Sequence, residues 1–154
     1  MRKREGDGAT PAGCFAVKRV LYRADRLRRP ATRLPVAAIE KDAGWCDAPG
    51  DRNYNRPVSH PYPGGGEALW RNDGLYDVLV VLDYNDRPRV KGRGSAIFLH
   101  VAHEGYAPTE GCIALAGVHL LRLLSQLGRT ARLAVLWPGP AMEKHNRRRR
   151  GKSV

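Results

Sequence analysis

The strongest constraint on the fold is a pair of apolar runs rich in β-branched residues. Residues 75–82 read LYDVLVVL and residues 95–102 read SAIFLHVA. Such runs favour strands, because branched and aromatic side chains pack well on a pleated surface. Asn85-Asp86-Arg87-Pro88 predicts a turn after the first run, and Gly92 and Gly94 frame the return. We therefore predict that residues 75–83 and 95–102 form an antiparallel pair at the centre of a sheet.

Two residues with reactive side chains lie in and just after the second run. Strand alternation separates Leu99 and its aliphatic neighbours from His100, which faces the other side. Cys112 follows His100 by twelve residues and comes directly after Gly111, where the chain can turn sharply with an unshielded amide. We predict Cys112 as a nucleophile, His100 as its general base and acid, and the Gly111 and Cys112 amides as oxyanion donors. The imidazole and the N-terminus of a following helix are expected to raise the thiolate fraction.

This stretch resembles the active-site signature of the L,D-transpeptidase catalytic domain, the YkuD-like family. That family carries a histidine at the end of a strand and then a Ser/Thr-x-Gly-Cys turn. Thr109-Glu110-Gly111-Cys112 fits the turn, with Glu110 where the commonest version has histidine. The longer stretch from Tyr106 to Cys112 is similar to a subgroup with the form Tyr-Ala-Pro-Thr-Glu-Gly-Cys. Thr10-Pro11-Ala12-Gly13 is similar to an early turn of the family, so the resemblance covers about residues 3–137.

The resemblance implies both a fold and an activity. The fold is mainly β, a sandwich or curved mixed sheet with one main helix after the cysteine. The family has a strand before Thr10 that is missing here, so the domain, at residues 1–140, is expected either to be truncated by a late start or to have lost an edge of its sheet. Residues 141–154 are expected to be a basic disordered tail. The implied activity is peptidoglycan cross-linking by an L,D-transpeptidase without a cofactor, through a thioester on Cys112 and the stem tetrapeptide. A monomer in the periplasm or cell wall is expected, although no signal peptide is visible.

Further elements are predicted from shorter patterns. Three more strands are predicted at residues 14–22, 34–39 and 132–137. Helical spacing of Val118, Leu121, Leu124 and Leu127, widened by Leu120 and Leu123, predicts the helix, and Gly128 predicts its end. Residues 67–72 are predicted as a helical turn anchored by Trp70, and residues 44–57 as a long polar loop.

Several polar residues are candidate substrate contacts. Tyr54, Asn55 and Arg56 lie in the predicted loop, where the alternative is a purely structural role. Tyr106, Thr109 and Glu110 surround the nucleophile in the sequence. Glu110 could bind a substrate ammonium group or raise the pKa of the neighbouring thiol, and as a plain surface carboxylate it needs no role.

The same residues allow alternatives to this chemistry. His103 is a rival base for His100, whereas His60 and His119 need no catalytic role. A metal site of His100, His103, Cys112 and His119 is disfavoured, because His-x-x-His on a strand points the rings apart and no second cysteine has zinc spacing. A peptidase that uses water as the acceptor shares the acyl-enzyme and stays open.

Charge and cysteine content limit the remaining classes of function. The formal net charge is +12, and part of it lies in the Arg147-Arg148-Arg149-Arg150 run. Polyanionic surroundings are therefore expected, and a non-catalytic basic module that binds polyanions is a remote alternative function. The scattered basic residues with few aromatics between them predict no specific nucleic-acid binding. Three cysteines allow one disulfide at most, and Cys14 and Cys46 are expected to be idle thiols. No run is long enough to predict a transmembrane segment.

Overall fold

Two β-sheets and one α-helix make up the part of the chain that the computed structural model describes, residues 3–136. This composition confirms the mainly β fold class. The predicted domain boundary at 140, the tail at 141–154 and Trp137 are not covered by these residues. The strands are β1 (Gly13–Tyr22), β2 (Val36–Ala38), β3 (Ala43–Cys46), β4 (Arg56–Ser59), β5 (Glu67–Ala68), β6 (Val78–Leu82), β7 (Phe98–Val101), β8 (Ile113–Leu115) and β9 (Arg132–Val135), with helix α1 at Gly117–Gln126 and a 3₁₀ turn at Glu104–Tyr106.

The larger sheet is mixed and is built around the two runs that the sequence singles out. Its order is β2-β1-β6-β7-β8, and β9 pairs with the first part of β1. Strands β6 and β7 are antiparallel with Val80 opposite Leu99, so the predicted central pair is confirmed. Strand β8 then runs parallel to β7. Three of the other predicted strands are found as well, as β1, β2 and β9.

The smaller sheet, of order β4-β3-β5, was not predicted. It overturns two expectations, because residues 44–57 contain β3 and the start of β4, and residues 67–72 begin with strand β5 instead of a helical turn. Gly66 explains the second difference. Its φ is +144°, and a Cβ there would lie 2.6 Å from the carbonyl oxygen of Trp45. This close backbone approach brings Glu67 into register opposite Trp45 in β3.

Apolar residues pack on both faces of the larger sheet. On one face, Val80 and Leu99 pack with Leu120 and Leu124 of α1. On the other face, Val81 and Phe98 pack with Trp45 from the smaller sheet. Both faces of β7 are therefore buried, and His100 lies on the Phe98 side with only 4% of its surface exposed.

Helix α1 buries a narrower face than the sequence predicts. Leu120 and Leu124 are fully buried, whereas Val118 is 72% exposed and Leu121 is 37% exposed. The predicted apolar face was centred on the wrong residues, because leucines at 120, 123, 124 and 127 form a helical face as regular as the one that includes Val118 and Leu121. Leu127 caps the helix and Gly128 follows it, as predicted.

This difference in burial predicts different mutational costs along one helix. Leu124→Ala should lower the free energy of unfolding by about 3 kcal/mol, because it removes buried methyl groups and leaves a cavity. Val118→Ala, on the exposed face, should change it by less than about 0.5 kcal/mol. Urea denaturation of the two variants measures both values, and equal costs would contradict the observed orientation of α1.

Candidate active site

Cys112 and His100 lie on the same face of the larger sheet. In the parallel β7–β8 pair, His100 is aligned with Ala114 and Leu99 with Ile113. Cys112 therefore comes just before β8 at the level of Phe98, two residues from His100 along β7. Aligned residues on paired strands project to the same face, so the thiol and the imidazole share one side. Both side chains line a pocket of about 500 Å³.

The His100 imidazole is held in a defined orientation by the backbone. Its Nδ1 lies 2.8 Å from the carbonyl oxygen of the adjacent Val101. A carbonyl can only accept a hydrogen bond, so Nδ1 carries the proton and Nε2 is left as a proton acceptor in the neutral ring. The ring also packs edge-on against Tyr76 at a centroid distance of 5.4 Å. Burial lowers the pKa of His100, which favours this neutral form.

The Cys112 thiol makes its hydrogen bonds with the backbone instead of with an imidazole. Sγ donates to the carbonyl oxygen of Ala96 at 3.2 Å and accepts from the amide of Phe98 at 3.5 Å. The pKa of the thiol is raised to about 11, mainly by burial; the hydrogen bond from the Phe98 amide lowers the pKa, and the Glu67 carboxylate raises it. The raised pKa favours the neutral thiol, which is opposite to the expected increase in the thiolate fraction.

The structure also does not place Cys112 at the N-terminus of a helix, which was expected to raise the thiolate fraction. Strand β8 follows Cys112 directly, and α1 begins only at Gly117. Cys112 therefore does not stand at the first turn of a helix, where the helix dipole acts most strongly.

These pKa shifts predict a steep pH dependence for alkylation of Cys112. Only the thiolate reacts with iodoacetamide, and its fraction rises about tenfold per pH unit below the pKa. We expect the Cys112 rate to keep rising from about pH 7 to pH 10. Peptide-resolved mass spectrometry measures it, with exposed Cys14 as an internal reference. A rate that levels off near pH 7 would instead indicate a thiolate–imidazolium pair.

One wall of the pocket contains a polar cluster that the sequence analysis missed. The Tyr76 hydroxyl donates to Oε1 of Glu67. Arg71 lies above the Tyr76 ring, 5.1 Å from its centroid, and forms an ion pair of 2.5 Å with Asp73. Burial raises the pKa of both the Tyr76 phenol and the Glu67 carboxyl. The only sequence signal was an aromatic residue at the start of the run at 75–82, which the strand pattern alone explains.

The residues around the nucleophile divide between the pocket and the outside. Thr109 and Glu110 line the pocket, as does the rival base His103. Thr109 Oγ1 also donates to the carbonyl oxygen of Cys112 at 2.7 Å, which ties the two ends of the turn together. Tyr106 is 58% exposed and is not among the pocket residues; its hydroxyl accepts from the Ala116 amide at 3.2 Å.

The other three predicted substrate contacts do not line this pocket. Tyr54 is 2% exposed and Asn55 6% exposed, whereas Arg56 is exposed on β4. Asn55 Oδ1 accepts from the Ala96 amide at 3.1 Å and from Trp45 Nε1 at 2.9 Å. Because the Ala96 carbonyl in turn accepts the thiol hydrogen bond, Asn55 supports the site through the backbone. The structural alternative fits Tyr54 and Asn55 better than substrate contact.

The N-terminal segment contributes a further wall that sequence reasoning did not find. Glu5 and Gly6 line the pocket. Glu5 accepts hydrogen bonds from Ser95 Oγ at 2.8 Å and from the Tyr54 hydroxyl at 2.5 Å. Nothing in the local sequence signals this contact, because it joins residues that lie far apart in the chain.

The alternative metal site receives no support from the geometry. In the described range of residues 3–136, no three His, Cys, Asp or Glu side chains are grouped so that they could hold a metal ion. His119 is exposed on α1, whereas His60 comes directly after β4. All three cysteines are free thiols, with Cys14 exposed and Cys46 buried.

The fold and pocket together define a mainly β protein in which a cysteine and a carbonyl-anchored histidine share one cavity. A family model described as the L,D-transpeptidase catalytic domain, YkuD, matches residues 2–135, so the chain belongs to this family. Comparisons with curated proteins and with solved structures find no significant match. Within residues 3–136, no helix is long and apolar enough to cross a membrane.

Proposed function

We propose that this protein is a cysteine-dependent L,D-transpeptidase that cross-links peptidoglycan stem peptides. The observation that carries this proposal is that Cys112 lines the same pocket as His100, a histidine whose Nδ1 is held by the Val101 carbonyl. Family membership supports peptidoglycan as the class of substrate. Such a substrate places the site of action in the periplasm or cell wall, and we propose that the enzyme works there as a monomer.

In the first step, the Cys112 sulfur attacks the carbonyl carbon of a stem-peptide amide that precedes a terminal D-alanine. The S–H proton moves to Nε2 of His100, which requires the S–H bond to turn away from the Ala96 carbonyl. The C–N bond then breaks, a thioester forms on Cys112, and the proton passes from His100 to the D-alanine amine that leaves. The Gly111 and Cys112 amides are the proposed donors to the tetrahedral oxyanion.

In the second step, the side-chain amine of a diaminopimelate on another stem attacks the thioester carbonyl. His100 accepts a proton from this amine, the C–S bond breaks, and Cys112 leaves as a thiol after the proton returns to sulfur. The products are a new amide cross-link and the free enzyme. Glu110 and Thr109 at the pocket edge are proposed substrate contacts, and the Glu110 carboxylate is suited to an ammonium group.

The alternative acceptor is water, which gives an L,D-carboxypeptidase from the same thioester. The open pocket supports either acceptor. Incubation with a purified tetrapeptide stem, followed by mass spectrometry, separates the two. We expect release of D-alanine together with a cross-linked dimer that increases as acceptor amine is added. Release of D-alanine without any dimer at high acceptor concentration would support the hydrolase, and absence of both products would reject the function.

Replacing each candidate base in turn tests its role. His100→Gln should lower the rate of stem-peptide transfer by at least about 100-fold, because the proton acceptor is lost. His103→Gln is the matched variant, because it makes the same substitution at the other histidine that lines the pocket. Loss of transfer in His103→Gln but not in His100→Gln would assign the base to His103.

A further inference from the structure

We infer that the protein has a second binding site. It is a basic groove that binds a linear polymer through the negatively charged phosphates of the polymer backbone. The groove lies between the first part of β1, the loop before β2 and the loop after α1, and its volume is about 940 Å³. Its cationic side chains are Lys18, Arg29, Arg33 and Arg129. The inference is independent of the proposed transpeptidase activity.

The groove concentrates positive charge without compensation. Among residues 3–136, no Asp or Glu lines the groove. Within residues 3–136, none of its four cationic side chains forms an ion pair, whereas Lys3, Arg23, Arg26, Arg71 and Arg89 all do. The neighbouring carboxylate of Asp83 is engaged by the Ala16 amide at 2.6 Å. Like charges gathered in a concave surface focus a positive potential, which attracts an anionic ligand.

The groove is separate from the candidate active site. Its buried residues Val17 and Leu34 belong to the core on the α1 face of the larger sheet. His100 and Cys112 lie on the opposite face, and the two cavities share no lining residue. A ligand in the groove therefore leaves the thiol and the imidazole free.

The lining chemistry favours an extended chain of phosphates over other anions. In the described part of the chain, no aromatic side chain lines the groove, so these residues offer no surface on which nucleic-acid bases could stack. Guanidinium groups bind phosphate oxygens in a bidentate manner, and three of the four cations are arginines. At Lys18 and Pro35 the groove adjoins a second hollow of about 250 Å³ that contains Arg19, which extends the path for a linear polymer. This hollow is also lined by Trp45, by Tyr84 and by Asp86, whose carboxylate is paired with Arg89.

Inorganic polyphosphate is the probe for this site, because it is a linear chain of phosphates without bases or lipid. We expect the full-length protein to bind it with an affinity that falls steeply as salt rises from about 50 to 200 mM. The double variant Arg33→Gln/Arg129→Gln should bind about 10-fold more weakly, with a salt slope lower by about 1 to 2. Fluorescence anisotropy of labelled polyphosphate measures both quantities.

The matched control is Lys41→Gln/Arg52→Gln, which removes the same charge from exposed positions outside the groove. It should bind polyphosphate within about twofold of the wild type. Equal weakening in the two double variants would overturn the site in favour of general charge attraction. Groove-dependent binding that is tighter for a mixed-sequence oligonucleotide or for anionic vesicles than for polyphosphate would also overturn it. Labelling of Cys112 by a β-lactam, unchanged in the groove variant, keeps this test separate from the active site.

Discussion

Cys112→Ala is expected to abolish covalent labelling by a carbapenem, whereas the wild-type protein should gain the mass of one intact drug molecule. A carbapenem is an acylating agent, because attack on its strained amide opens the ring and leaves an acyl group on the nucleophile. Alanine removes the only atom proposed to form that bond, so cross-linking of stem peptides should fall by at least about 10⁴-fold. Intact-protein mass spectrometry measures the adduct, and product analysis measures the transfer.

The two other cysteines provide matched controls for this experiment. Cys14→Ala removes an exposed thiol and should leave the adduct intact, because Cys14 does not line the pocket. Cys46 is fully buried in β3 and is expected to stay unlabelled in all variants. An adduct that persists in Cys112→Ala and disappears in Cys14→Ala would move the nucleophile to Cys14 and reject the proposed site.

Because Cys112 is neutral in the free protein, charge separation at the site depends on a bound substrate. The thiol donates to the Ala96 carbonyl, and the neutral His100 keeps Nε2 as an acceptor. Neither group is charged at rest, so the pocket avoids a buried ion pair with its desolvation cost. Charge separation then arises only as sulfur attacks a carbonyl and the developing oxyanion can be stabilised by amides. We therefore expect low reactivity toward general alkylating agents and high reactivity toward acyl donors that fit the pocket.

The central strands and the helix could be predicted because their signals are local and long. β6 is apolar at every position and β7 at every position except His100, and a turn-forming segment separates the two strands. Both faces of this pair are buried, so a continuous apolar run is the expected pattern. The short turn from Thr109 to Cys112 was informative for a different reason, because a glycine directly before a cysteine lets the backbone turn sharply there and leaves its amide unshielded.

The smaller sheet could not be predicted, because its strands are two to four residues long and carry Gly, Pro and Glu at paired positions. Alternation over so few residues is indistinguishable from a loop. The acid–base state of the site was missed for a related reason. The pKa of Cys112 depends on burial beneath residues such as Tyr76 and Glu67, which are brought to the thiol only by sheet pairing. A sequence identifies the reactive groups, but long-range packing decides how they ionise.

Gly111→Ala is expected to damage both stability and activity, because this glycine has no room for a side chain. Its φ is +99°, in the left-handed region, and a Cβ there would lie 2.6 Å from the carbonyl oxygen of Ala9. Neither the backbone strain nor the contact with a backbone atom can be relieved by rotation of a side chain. We expect a loss of about 3 kcal/mol in the free energy of unfolding, from left-handed strain together with overpacking. Carbapenem acylation should fall by at least about 100-fold, since the turn holds the proposed oxyanion donors.

Gly105→Ala is the matched control for this prediction. Gly105 also has a positive φ, +71°, but a Cβ there would meet nothing within 4 Å. Gly105→Ala should therefore lower the free energy of unfolding only by the left-handed strain, about 1 kcal/mol, and leave the acylation rate within about threefold of the wild type. Chemical denaturation and acylation kinetics on both variants separate strain from steric contact. Equal losses of stability would reject close packing at Gly111, and full acylation by a destabilised Gly111→Ala protein would remove the turn from the proposed oxyanion site.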